Sequence, residues 1–138
     1  MSQLEVDKVI PQSGTNLQIG EAGDTIDLTT PTVNLPTGVG GTSWQAVKTA
    51  NFTAVAGEGY FVNTTGGVIT ATLPSSATIG NEVSIIDYAG TADTNNITIG
   101  RNGHNIQGAA SDMTVSTERA GFTLVYVDST QGWLLKDK

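Results

Sequence analysis

No window of about eleven residues in this chain places apolar side chains at i, i+3, i+4 and i+7 without a Gly, Pro or Asn-Gly interrupting it. Helix is therefore not expected, and what remains is the period-two alternation of short strands. The composition agrees with that choice. Threonine is roughly one residue in seven, and the 138 residues include 17 glycines. β-Branched Thr, Val and Ile suit a pleated, half-buried surface, while Gly and Asn supply its tight turns. The expected fold class is all-β.

Two regions differ in strand length. Between residues 15 and 36 an apolar-polar-apolar triplet recurs as Leu17-Gln18-Ile19, Ile26-Asp27-Leu28 and Val33-Asn34-Leu35. Three strands of that length cannot bury enough area alone, because a small isolated sheet is marginal in water. The reading is that Leu17, Ile19, Ile26, Leu28, Val33 and Leu35 are trimer-interface residues, packed in a short intertwined β segment of three chains. The alternative is an extended arm lying on the rest of the chain. Thr37-Gly38-Val39-Gly40-Gly41-Thr42 reads as a hinge; with the boundary placed there, residues 1–41 form an N-terminal trimerisation or attachment segment and residues 42–138 a C-terminal knob.

Beyond the hinge, strands are expected at Trp44–Lys48, Gly59–Asn63, Val68–Leu73, Glu82–Tyr88, Asn96–Gly100, His104–Gln107, Met113–Ser116, Phe122–Asp128 and Trp133–Lys136. Their spacing predicts an antiparallel β-sandwich of jelly-roll type. Asn102-Gly103 is the strongest turn signal and predicts a hairpin pairing Ile97 and Ile99 with the strand of Ile106. Alternation gives an inward set of Phe61, Ile69, Leu73, Val83, Ile85, Ile97, Ile99, Ile106, Val115, Leu124, Tyr126 and Leu134.

Charge and residue counts exclude several functions. Thirteen acidic against six basic residues, net -7, leave no basic footprint for nucleic acid or anionic lipid. Without cysteine there is neither a disulfide framework nor a thiolate metal site. The lone histidine, His104, has no second histidine to share a metal, and no phosphate-cradling or nucleophile-elbow motif occurs. No cofactor is expected. The first residues lack the basic and apolar parts of a signal peptide, and no apolar run approaches a membrane span, so neither export by such a signal nor a membrane partner is expected. Asp87, Asp93 and Asp128 are the carboxylates that a glycan-cleaving site would use, but each sits in a turn-like context where Asp caps the backbone. Tyr88, Asn95, Asn96 and Trp133 are the candidates for stacking on and hydrogen-bonding a glycan.

Several stretches carry a family resemblance. Val6-Asp7-Lys8-Val9-Ile10-Pro11-Gln12-Ser13-Gly14, Gly23 to Ile26, Gly59-Tyr60-Phe61-Val62-Asn63-Thr64, Thr70-Ala71-Thr72-Leu73-Pro74, Arg101-Asn102-Gly103, Leu124-Val125-Tyr126-Val127-Asp128 and Gly132-Trp133 together resemble the short fibre proteins of tailed bacteriophages. Such modules are shared among tail fibres, head fibres and capsid-decorating proteins. The resemblance implies a homotrimer with an intertwined N-terminal part, a C-terminal β knob and no enzymatic activity. A typical tail fibre has a longer shaft and an adaptor domain, for which 138 residues leave no room. The expectation is a virion-surface structural protein that decorates or cements the capsid, with the major capsid protein or tail proteins as partners. The alternative is a short tail fibre or receptor-binding adhesin for host surface glycan.

Overall fold

The structure, a computed structural model, describes residues 41–137. The triplets carrying Leu17, Ile19, Ile26, Leu28, Val33 and Leu35 lie outside the described residues. Within those residues the chain forms nine strands and no helix: β1 (Ser43–Trp44), β2 (Phe52–Thr53), β3 (Glu58–Val62), β4 (Ile69–Thr72), β5 (Glu82–Asp87), β6 (Ile97–Gly100), β7 (Met113–Val115), β8 (Gly121–Asp128) and β9 (Gly132–Leu135).

They make two sheets, and the chain alternates between them. The first has the order β1-β3-β5-β8-β9 and the second β2-β4-β6-β7. From β1 to β6 every step crosses to the other sheet, so each strand lands beside the one laid down two steps earlier and runs parallel to it. Residues 43 to 100 are thus three turns of a two-sheet coil. The last three pairings are antiparallel: β7 with β6, β8 with β5, and β9 with β8.

The predicted antiparallel jelly-roll pairing is therefore corrected, since four of the seven strand pairs are parallel. A parallel pair needs a long crossover, usually a helix. Here the crossover of each sheet is a strand of the other, which is how parallel pairing arises in a chain with no helical pattern.

The Asn102-Gly103 expectation divides in two. Both residues take positive φ, 47° and 91°, and the His104 N–H closes the turn on the Arg101 carbonyl at 3.1 Å. The hairpin partner is different, because Ile97 and Ile99 pair with Val115 and Met113 of β7 while Ile106 bridges Ala109 and Trp133. The Asn102 side chain donates to the Leu73 carbonyl at 2.9 Å, tying the turn to the end of β4. The chain leaves the turn toward the first sheet instead of folding back on β6.

Buried side chains of both sheets form one core. Tyr60, Val62, Val83, Ile85, Leu124, Tyr126 and Trp133 come from the first sheet, and Ile69, Ala71, Ile97, Ile99 and Val115 from the second. Ten of the twelve residues in the predicted inward set are buried. Phe61 and Leu134 are the exceptions, each pointing away from the core while its neighbours Tyr60, Val62 and Trp133 point in. In these strands both faces carry large apolar residues, so alternation alone does not tell in from out.

Candidate functional surfaces

The sheet registers fix which side chains share each outer face. On the first sheet Trp44 pairs with Gly59, Gly59 with Ser84, Phe61 with Ile86, Ser84 with Thr123 and Val125 with Leu134. The face away from the core is therefore built from Trp44, Phe61, Ile86, Val125 and Leu134 around Ser84 and Thr123. Trp44 stacks on Phe61 with ring centroids 4.9 Å apart and 26° between planes. Gly59 makes room for it, because a Cβ there would lie 2.6 Å from the Trp44 ring. The indole remains 47% exposed.

Polar groups on this face satisfy one another. The Ser84 and Thr123 hydroxyls are 2.9 Å apart, and the Lys136 ammonium meets the Glu82 carboxylate at 3.0 Å. The second sheet differs in kind. Thr70, Thr98 and Thr114 form one row across β4, β6 and β7, and Thr53 and Thr72 pair beside it. That outer face is a ladder of hydroxyls suited to water.

The loop after β5 contains three of the glycan candidates. Asp87 is buried, and its carboxylate organises the loop. One oxygen accepts from the N–H groups of Gly90 (3.1 Å) and Thr91 (3.4 Å), the other from those of Ala92 (3.2 Å) and Arg119 (3.0 Å). Burial alone would push this carboxyl up, but the four backbone donors outweigh it and hold it below its ordinary 3.8. Asn95 donates to the Thr64 carbonyl and Asn96 to the Ala92 carbonyl, each at 2.9 Å. Their amides brace the loop. Tyr88 is 51% exposed, with its carbonyl held by Arg119 at 2.9 Å.

Trp133 is fully buried, edge-on to Tyr126 at 5.5 Å, so it presents no ring face to a ligand. This corrects its place among the glycan candidates. Of the four, Tyr88 alone offers an exposed aromatic surface. The exposed tryptophan is Trp44; the strand expected over Trp44–Lys48 is only Ser43–Trp44, too short for alternation to fix the direction of its side chain.

Two of the other chemical candidates, Asp128 and His104, also contact the backbone. Asp128 accepts from the N–H groups of Thr130 and Gln131, both at 2.8 Å, and so closes the β8–β9 turn. His104 places Nε2 3.0 Å from the Ser75 carbonyl and meets Tyr126 edge-on at 5.0 Å. Asp93 is exposed on the loop after β5. Glu58, Asn81, Glu82 and Ser84 line a concavity at the starts of β3 and β5. Its polar groups are engaged: Glu58 by the Tyr60 hydroxyl, Glu82 by Lys136, and the Asn81 side-chain Oδ1 by the Thr78 N–H at 2.9 Å. Among the described residues no group of three or more His, Asp or Glu side chains could hold a metal ion.

No family model matches the chain, and no curated protein matches it.

Proposed function

We infer that this protein is a non-enzymatic structural component of a bacteriophage virion surface, a homotrimer that decorates or cements the capsid. In this reading residues 1–41 attach and trimerise, and the described body is the projecting knob, its two sheets packed as a sandwich. The observation that carries it is the contrast between the two outer faces, one apolar with its polar groups already paired, the other a threonine ladder. A body of this kind fits a structural role in which one side meets protein and the other meets water. The fibre-like stretches Gly59 to Thr64, Thr70 to Pro74 and Leu124 to Asp128 fall on β3, β4 and β8, the strands that build both sheets. Two of the three candidate carboxylates, Asp87 and Asp128, spend their bonds on backbone N–H groups, which supports a role without acid-base chemistry.

A trimer suits the threefold positions of an icosahedral shell, where binding between capsomers would stabilise the shell by mass action. Imaging of the particle tests the placement: density at capsid threefold positions is expected, and density confined to the tail would contradict it. The adhesin reading rests on the exposed Tyr88 ring and makes a different prediction. Isolated protein would then bind host cells and compete with infection; capsid decoration predicts neither.

A further inference from the structure

We propose that Asn102 is a site of spontaneous deamidation, and that its conversion releases the turn after β6 from the end of β4. Asn102-Gly103 is the one Asn-Gly step in the chain. The reaction needs the peptide nitrogen of the following residue to reach the side-chain amide carbon, and glycine, without a Cβ, crowds that approach least. Both residues are exposed, and a Cβ on Gly103 would meet nothing within 4 Å. The attacking group is also unengaged. Among the described residues the Gly103 N–H has no acceptor, while the next one, at His104, donates to the Arg101 carbonyl. Every other described asparagine, such as Asn95 before Asn96 or Asn105 before Ile106, precedes a residue with a side chain.

Water is the only co-reactant the steps require. The Gly103 nitrogen gives its proton to solvent and attacks Cγ of Asn102; the N–Cγ bond forms, and the Cγ–Nδ2 bond breaks as ammonia leaves with a proton from water. Water then opens the cyclic imide. Cleavage of the N–Cγ bond yields aspartate, and cleavage at the main-chain carbonyl yields isoaspartate, with the chain running through the former side chain. The folded turn restrains ring closure. With φ of 47° and 91° it is the mirror-image type in which ψ of the first central residue is also positive, which places Cβ on the far side of the Cα–C bond from the Gly103 nitrogen. The bond from Asn102 Nδ2 to the Leu73 carbonyl at 2.9 Å holds the amide there. Closure therefore belongs to local openings of this exposed turn, which few contacts oppose. Once it has happened the tether cannot be remade. A carboxylate has no proton to donate to the Leu73 carbonyl, and isoaspartate lengthens the main chain of a two-residue turn. The segment beyond the turn carries Ile106 to its bridges with Ala109 and Trp133, so the loss is felt where the chain enters them.

Peptide mapping by mass spectrometry of the full-length protein, held at mildly alkaline pH, tests the site. The expected result is conversion at Asn102 several-fold ahead of every other described asparagine, with aspartate and isoaspartate resolved by chromatography, and a several-fold faster rate in guanidinium chloride, where the turn is absent. Conversion at Asn102 no faster than at Asn95 or Asn105 overturns the site. An equal rate in denaturant and in buffer overturns the restraint by the turn. Asn102→Asp tests the release: exchange of the His104 amide hydrogen should quicken several-fold over the wild type, while that of Val83 and Ile85, paired on both sides within the first sheet, stays unchanged. His104 exchange as slow as in the wild type overturns the release. Should Asn102→Asp fail to fold by circular dichroism, the converted and unconverted molecules of one aged wild-type sample give the same comparison by mass-resolved exchange, and equal exchange in the two overturns the release.

Discussion

The Asp87 carboxylate has more structural consequence than any other charged group described, because four backbone N–H groups from two separate loops converge on it. Removing the acceptor leaves those donors buried without partners, at about 1–3 kcal/mol for each one that water cannot reach. Asp87→Ala should therefore lower stability by about 3 kcal/mol, read as the shift in urea midpoint at pH 7. The same bonds set an acid limit. Since folding lowers this carboxyl below its ordinary 3.8, its stabilisation is complete above that value and is lost as pH falls through the folded value. The wild type should lose stability below about pH 4, and Asp87→Asn should flatten that part of the profile. Tyr60 gives the alkaline counterpart. Burial and the bond to Glu58 push its phenol up to about 12, against the N–H of Val55, which favours the ionised form. Its contribution is present below pH 10 and lost as pH rises through about 12. One phenol should ionise near pH 12 in an absorbance titration, and Glu58→Gln should move it downward while burial keeps it above its ordinary value.

At the scale of strands and turns, glycines of similar φ are not equivalent. Gly132 has φ 71°, and a Cβ there would lie 1.9 Å from the Asn105 carbonyl oxygen. Gly103 has φ 91° with nothing within 4 Å of the added atom. Both substitutions to Ala carry the left-handed backbone penalty, but Gly132→Ala must also move main chain that joins β9 to the Ile106 segment. We expect about 1 kcal/mol for Gly103→Ala and about 4 kcal/mol for Gly132→Ala, compared by thermal melts of the two variants. Strand positions were largely legible because Gly, Asn and Pro fall between runs of alternating Val, Ile and Thr. β2 was not, since Phe52-Thr53 is too short to carry a period. His104–Gln107 has strand-like composition yet makes isolated bridges, because the turn at Asn102 sends it across to Trp133. Phe61 and Leu134 were assigned inward for a related reason: on these strands the outer face is apolar too, and that property of the candidate surface hid it from a reading by alternation.

Across the whole molecule, pairing direction was the part the chain concealed. Alternation reports which face a residue occupies and nothing about whether its neighbour runs parallel. The spacing of strands and turns predicts antiparallel pairing, but a chain that lays strands alternately in two sheets makes each sheet the other's crossover. The resulting body has a core assembled from both sheets and two unlike outer faces, with large apolar side chains both in that core and on the face of Trp44 and Phe61. Assembly through copies of itself is the central claim, and it concerns the native mass. Light scattering on the full-length protein at neutral pH should return three times the 14.3 kDa chain mass. A mass of one chain, unchanged on concentration, would contradict the account.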